Sequence, residues 1–104
     1  MKLILHTDGL QMTAATKQEA EDKFMRLRRV FGRLDHSDLL FNVELSRTTT
    51  HHKKGKIFRA EAHMPIGKHA MFVAVEGEDL LEAIDHCIAA CRKQLTRIKE
   101  KLEN

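Results

Sequence analysis

Fifteen of the chain's 18 lysines and arginines fall in three short stretches, and the chemistry open to such stretches is the neutralisation of a polyanion. Lys23, Arg26, Arg28, Arg29 and Arg33 form the first, with no acid among them. Arg47, Lys53, Lys54, Lys56 and Arg59 form the second, again without an acid. Arg92, Lys93, Arg97, Lys99 and Lys101 form the third, interrupted only by Glu100, so that 14 of the 15 acids lie elsewhere. A formal net charge of +3 conceals this segregation. Charge runs on helices are commonly solvated faces, and bases near a helix C-terminus also complement its dipole. A surface that is merely soluble intersperses both signs, however, and three nearly acid-free stretches favour binding.

Other residue types suggest less chemistry. His51-His52, His86 beside Cys87, and Cys87 four residues before Cys91 reproduce no recognised zinc spacing, so no metal site and no cofactor are expected. Cys87 and Cys91 would share one helical face as small core side chains, where helix geometry disfavours a disulfide between them. The histidines read as surface groups that add positive charge below pH 7. Ser37 and Ser46 are the only serines, and neither lies in a strained glycine elbow. No phosphate-cradling glycine loop precedes a helix, and the Glu78/Glu82 pair is explained by a helix N-terminus. An enzyme is not expected.

The elements that must position the bases can be read from periodicity. Lys2 to His6 alternates and ends at Thr7-Asp8-Gly9, giving a short strand. Thr13 then serves as N-cap to a helix whose apolar set Ala20, Phe24, Leu27 and Phe31 runs to Gly32. Asp38 to Arg47 is a strand with Leu39, Phe41, Val43 and Leu45 on its apolar side. After a polar connection, Phe58, Ala60, Ala62 and Met64 mark a third strand that Pro65 should stop, and Met71, Val73 and Val75 mark a fourth. Asp79 with Glu82 forms an acidic capping box ahead of a long stripe from Leu81 to Leu102. The expected fold is α+β, in the order β-α-β-β-β-α, a four-stranded sheet with two helices packed on one face and the other face open. Residues 1–104 are expected to form one domain, with no secretory or membrane segment and hence a cytoplasmic location.

At 100° per residue, Lys23, Arg26, Arg29 and Arg33 occupy an arc of roughly 120° beside the apolar stripe. Lys93, Arg97 and Lys101 recur every four residues on the second helix, so helices lying side by side would place two basic ridges along a groove. RNA is the polyanion these features favour. There is no helix-turn-helix, zinc-finger or basic-zipper device for duplex DNA, and without Trp or Tyr there is little for single-strand stacking beyond Phe72. Backbone and shape recognition of structured RNA remains.

The run Glu76-Gly77-Glu78-Asp79-Leu80-Leu81-Glu82-Ala83-Ile84-Asp85, followed by Arg92-Lys93-Gln94-Leu95-Thr96-Arg97-Ile98-Lys99-Glu100-Lys101-Leu102, resembles the ribosome hibernation-promoting factor and ribosome-associated inhibitor family, the sigma-54 modulation proteins. Lys23-Phe24-Met25-Arg26-Leu27 and Phe31-Gly32-Arg33-Leu34 match that family's first helix, and the likeness spans essentially the whole chain. The resemblance implies a bacterial stress and stationary-phase factor that binds the 30S subunit and its 16S rRNA in the decoding cleft, in 70S or dimerised ribosomes. There it would exclude messenger and transfer RNA and so inhibit translation. Matching basic positions are Lys23, Arg26, Arg33, Lys93, Arg97, Lys99 and Lys101. The charge clusters add Arg29, Arg47, Lys54, Lys56 and Arg92 as RNA-binding candidates. Leu81 stands where many members have Tyr, Cys87 and Cys91 lie outside the pattern, and the 48–56 loop is longer than in the shortest members. The resemblance is to the short form, without a linker and dimerising domain. Three rivals stay open on sequence alone: a module for structured or double-stranded RNA off the ribosome, a protein-interaction domain using the open sheet face (Ile4, Leu40, Ile57, Phe72), and, third, a metal-handling protein.

Overall fold

The fold follows from where each amphipathic segment can bury its apolar side. The computed structural model describes residues 1–48 and 57–103. Strands β1 (Lys2–Asp8), β2 (Leu40–Arg47), β3 (Phe58–Ile66) and β4 (His69–Gly77) form one mixed sheet in the order β1-β2-β3-β4. β1 runs parallel to β2, and β2-β3-β4 is an antiparallel meander. Helix α1 (Ala14–Met25) and a single turn α2 (Arg28–Phe31) connect β1 to β2, and α3 (Leu80–Glu103) closes the chain. The expected α+β architecture and β-α-β-β-β-α order are those observed.

One sheet face carries the core. Phe41, Val43 and Leu45 of β2, Ala60, Ala62, Met64 and Ile66 of β3, and Met71 and Val73 of β4 are all buried. Against them pack Ala20, Phe24, Leu27 and Phe31 from the first helical segment and Ala83, Ile84, Cys87, Cys91, Leu95 and Ile98 from α3, in a single cluster. Phe24 meets Phe41 edge to face at 5.8 Å, a favoured aromatic geometry. Both helical segments therefore lie on the same side of the sheet, because each strand has one strongly apolar face to cover.

Three expectations need correction. The first helix is not continuous to Gly32. Leu27, Arg29 and Val30 bond to carbonyls three residues back, which tightens the chain around Arg26-Leu27 before α2 and a 3-10 turn at Gly32–Leu34. In an α-helix Leu27 would sit roughly 60° from Phe24, whereas three residues per turn align them, and both become fully buried. Pro65 does not stop β3, which continues to Ile66 with Pro65 opposite Ala70. The β2 pairing ends at Asn42 opposite His63, so β3 has one neighbour at Pro65 and the missing N–H breaks no second ladder. Finally, β1 extends two residues further than read, to Asp8, because β2 offers partners through Ser46, and β2 begins at Leu40 rather than Asp38.

The caps act as the sequence suggests. The Thr16 amide donates to Thr13 Oγ1 at 3.1 Å, and the Glu82 amide donates to Asp79 Oδ1 at 2.8 Å, each satisfying a donor that a helix N-terminus leaves free.

Candidate nucleic-acid interface

The two helical segments run side by side in the same direction, as an ascending series of contacts shows. Thr16, Glu19 and Ala20 line an apolar depression of about 400 Å³ with Leu80, Leu81 and Ile84. Further along, Lys23 Nζ lies 3.1 Å from Asp85 Oδ1. At the far end, Gly32 and Arg33 line an open depression of about 690 Å³ with Lys99 and Leu102. The interhelical groove thus passes from acidic and apolar at one end to basic at the other. Helix C-termini converge at the basic end, where their partial negative charge favours these cations.

Gly32 makes this convergence possible. Its φ of 50° and ψ of −117° lie where a side chain is strained, and a Cβ there would come within 3.3 Å of Lys99 Nζ. The absence of a side chain lets the ammonium fold over the backbone beside Arg33. Among the described residues, Arg26, Arg29, Arg33, Arg92, Lys93, Arg97, Lys99 and Lys101 have no carboxylate within salt-bridge distance. No described carboxylate neutralises them. Lys23 differs, being partly neutralised by Asp85.

The candidate bases do not all share one strip. On α3, Asp85 and Lys99 meet the first helical segment, whereas Gln94 and His86 bond to the outer edge of β4. Arg92 is in helical phase with Lys99 to roughly 20° and belongs to the groove. Lys93, Arg97 and Lys101 are rotated from it by roughly 100° to 180°, toward solvent and the β4 flank. The ridge read from the sequence is real, but it follows the outer shoulder of α3 rather than the groove.

Arg47 lies at the opposite end of the sheet, paired with Phe58 and with its guanidinium 5.9 Å from that ring. This end adjoins the start of α3, roughly 30 Å from Lys99 by helical rise. Lys54 and Lys56 fall outside the described residues. The fold thus brings Arg33 and Lys99, and by helical phase Arg92, to the groove, sets Lys93, Arg97 and Lys101 on the shoulder, and leaves Arg26 and Arg29 exposed on the first helical segment.

The opposite face of the sheet has another character. Glu44 stands directly across from Glu61, Arg59 donates to Glu61 Oε1 from Nη2 at 2.6 Å, and Phe72 is 55% exposed beside His63. The exposed sheet face thus pairs carboxylates with few bases, while the unpaired bases described above lie on the helical side, among helix acids such as Glu19, Asp79 and Asp85. Arg28, in the first basic stretch, is bound to Asp35 at 3.0 Å. The Met1 ammonium also meets Asp35, at 2.9 Å, and chiefly this hydrogen bond, with that from Arg28, holds the carboxyl below its ordinary range against a smaller opposing effect of burial. No sequence pattern signalled that Arg28 is thus occupied. Among the described residues no three of His, Cys, Asp and Glu are grouped to hold a metal ion, and no helix is long and apolar enough to cross a membrane.

Comparison with known proteins finds relatives along nearly the whole chain. The Salmonella typhimurium ribosome hibernation promoting factor is 30% identical over 107 aligned residues, covering 99% of this chain and 98% of the relative. The Escherichia coli ribosome hibernation promoting factor is 26% identical over 103 residues, with the same coverage. Among solved structures, the Thermus thermophilus Protein Y N-terminal domain superposes with a TM-score of 0.65 at 29% identity, covering 90% of this chain and 93% of that one. A ribosomal subunit interface protein from Coxiella burnetii shares the fold, with a TM-score of 0.69 at 14% identity over 96% of this chain and 99% of that one. Residues 3–103 match the sigma 54 modulation protein / S30EA ribosomal protein family, and the chain belongs to that family.

Proposed function

We propose that this protein is a ribosome-associated hibernation factor that works by occupancy. It binds the 30S subunit at the decoding cleft through 16S rRNA phosphates, blocks messenger and transfer RNA, and inhibits translation under stress in the cytoplasm, in 70S or dimerised ribosomes. The observation that carries this reading is the groove end at Gly32, where Arg33 and Lys99 come together with no carboxylate partner among the described residues, in a chain matched over nearly its full length to hibernation promoting factors. Phosphate contacts supply affinity and salt dependence, while the shape of the two-helix face supplies position. No covalent step is required, and no side chain needs a catalytic role.

A sedimentation assay with purified 30S subunits tests the proposal. The protein should co-sediment with 30S subunits, and prior filling of the cleft with messenger and initiator transfer RNA should exclude it. Equal competition by an unrelated RNA duplex would instead favour a structured-RNA module acting off the ribosome.

A further inference from the structure

The two edges of the sheet are treated differently. At β4, the Phe72 amide donates to Gln94 Oε1 at 3.1 Å and Gln94 Nε2 donates to the Phe72 carbonyl at 2.7 Å, so the side-chain amide occupies the edge as a neighbouring strand would. His86 Nδ1 lies 3.3 Å from the Glu76 carbonyl on the same edge. Exposed edges invite pairing with another chain, and α3 guards this one. The β1 edge has no such guard. The Lys2 amide bonds to the Leu39 carbonyl, so Lys2, Ile4, His6 and Asp8 direct their backbone groups toward β2. Alternation then directs those of Leu3, Leu5 and Thr7 outward, where the described residues provide no partner.

We propose that the β1 edge is a self-association surface whose occupant is β1 of a second copy of this chain, joined antiparallel about a two-fold axis beside Leu5. Both copies direct backbone groups outward at the same residues, so Leu5 can exchange bonds with its symmetry mate and Leu3 with Thr7 in both directions. The same register sets Lys2 of each copy opposite Asp8 of the other, and neither residue has a salt-bridge partner among the described residues. A charge on an edge strand normally repels a second sheet. Opposite charges at the two ends of β1 instead select this register, because cross-strand pairs of opposite sign attract. The product is a continuous eight-stranded sheet that leaves the bases of both helical sides exposed. Edge pairing of this kind buries little surface, so the dimer is weak and depends on concentration.

Sedimentation equilibrium of the full chain from about 10 µM to about 1 mM provides the test, in the range expected of small interfaces. The expected result is a monomer–dimer equilibrium. Lys2→Asp alone and Asp8→Lys alone each oppose like charges twice and should weaken association by about ten-fold or more. An equimolar mixture of the two variants restores both attractive pairs and should dimerise at least as well as the parent chain. Circular dichroism establishes that each variant is folded. A parent chain that stays monomeric throughout overturns the proposal, as does a mixture that associates no better than its components. Dimers that persist unchanged in both single variants would place the interface elsewhere.

Discussion

Replacing Arg33 and Lys99 together by Gln tests the central physical claim. Neither side chain holds a carboxylate partner among the described residues, so their loss leaves no orphaned charge, and the folding free energy should change by no more than about 0.5 kcal/mol. If each contacts one phosphate, the slope of log K against log salt should flatten by about 0.7 to 0.9 per residue, or about 1.6 together. Raising salt from about 50 mM to about 200 mM should then narrow the affinity gap between parent and variant by about ten-fold. Filter binding or sedimentation with 30S subunits at several salt concentrations measures this. Arg28→Gln is the control: its guanidinium is engaged by Asp35, so the slope should stay as in the parent. Parallel slopes for parent and the Arg33/Lys99 variant would refute the view that this end of the groove contacts RNA backbone.

Further outcomes follow from the packing. A Cβ on Gly77 would lie 2.6 Å from the Ala83 amide nitrogen, so Gly77→Ala must displace the start of α3 and should lower stability by about 2 kcal/mol or more in thermal unfolding. Asp79→Ala, which removes only the cap, should cost about 1 kcal/mol in the same assay. Asp35 ionises below its ordinary value of 3.8 in the folded chain, so its ion pairs contribute fully above that pH and are lost as pH falls through the folded pKa. The melting-temperature advantage over Asp35→Asn should accordingly be constant near neutrality and vanish in strong acid. The neighbouring Cys91 thiol, and after it burial, push the Cys87 thiol up. Cys87 should therefore resist iodoacetamide in the native protein at mildly alkaline pH and react after denaturation, as mass spectrometry would register.

The sequence by itself determined every element that covers a core. Alternation through β2, β3 and β4 and the α3 stripe named most of the buried side chains, because burial requires a period that residue types display. Leu81 and Leu102, at the two ends of that stripe, are nevertheless exposed where the sheet no longer lies beneath them. The sequence also exposed the three basic stretches, two free of acids and the third interrupted only by Glu100. What it did not contain was the relative rotation and placement of those stretches. That Arg33 meets Lys99 depends on parallel helices and on Gly32 yielding space. That Lys93, Arg97 and Lys101 follow the shoulder of α3 depends on which flank packs on β4, and that Arg47 lies at the far end depends on strand order. The break at Arg26-Leu27 likewise answers to the need to bury Leu27 in line with Phe24. Local periodicity states which face of an element is buried, and only packing states what stands beside it. Charge convergence, the pairing of Arg28 with Asp35, and the contrast between a guarded β4 edge and an open β1 edge are therefore properties of the tertiary structure.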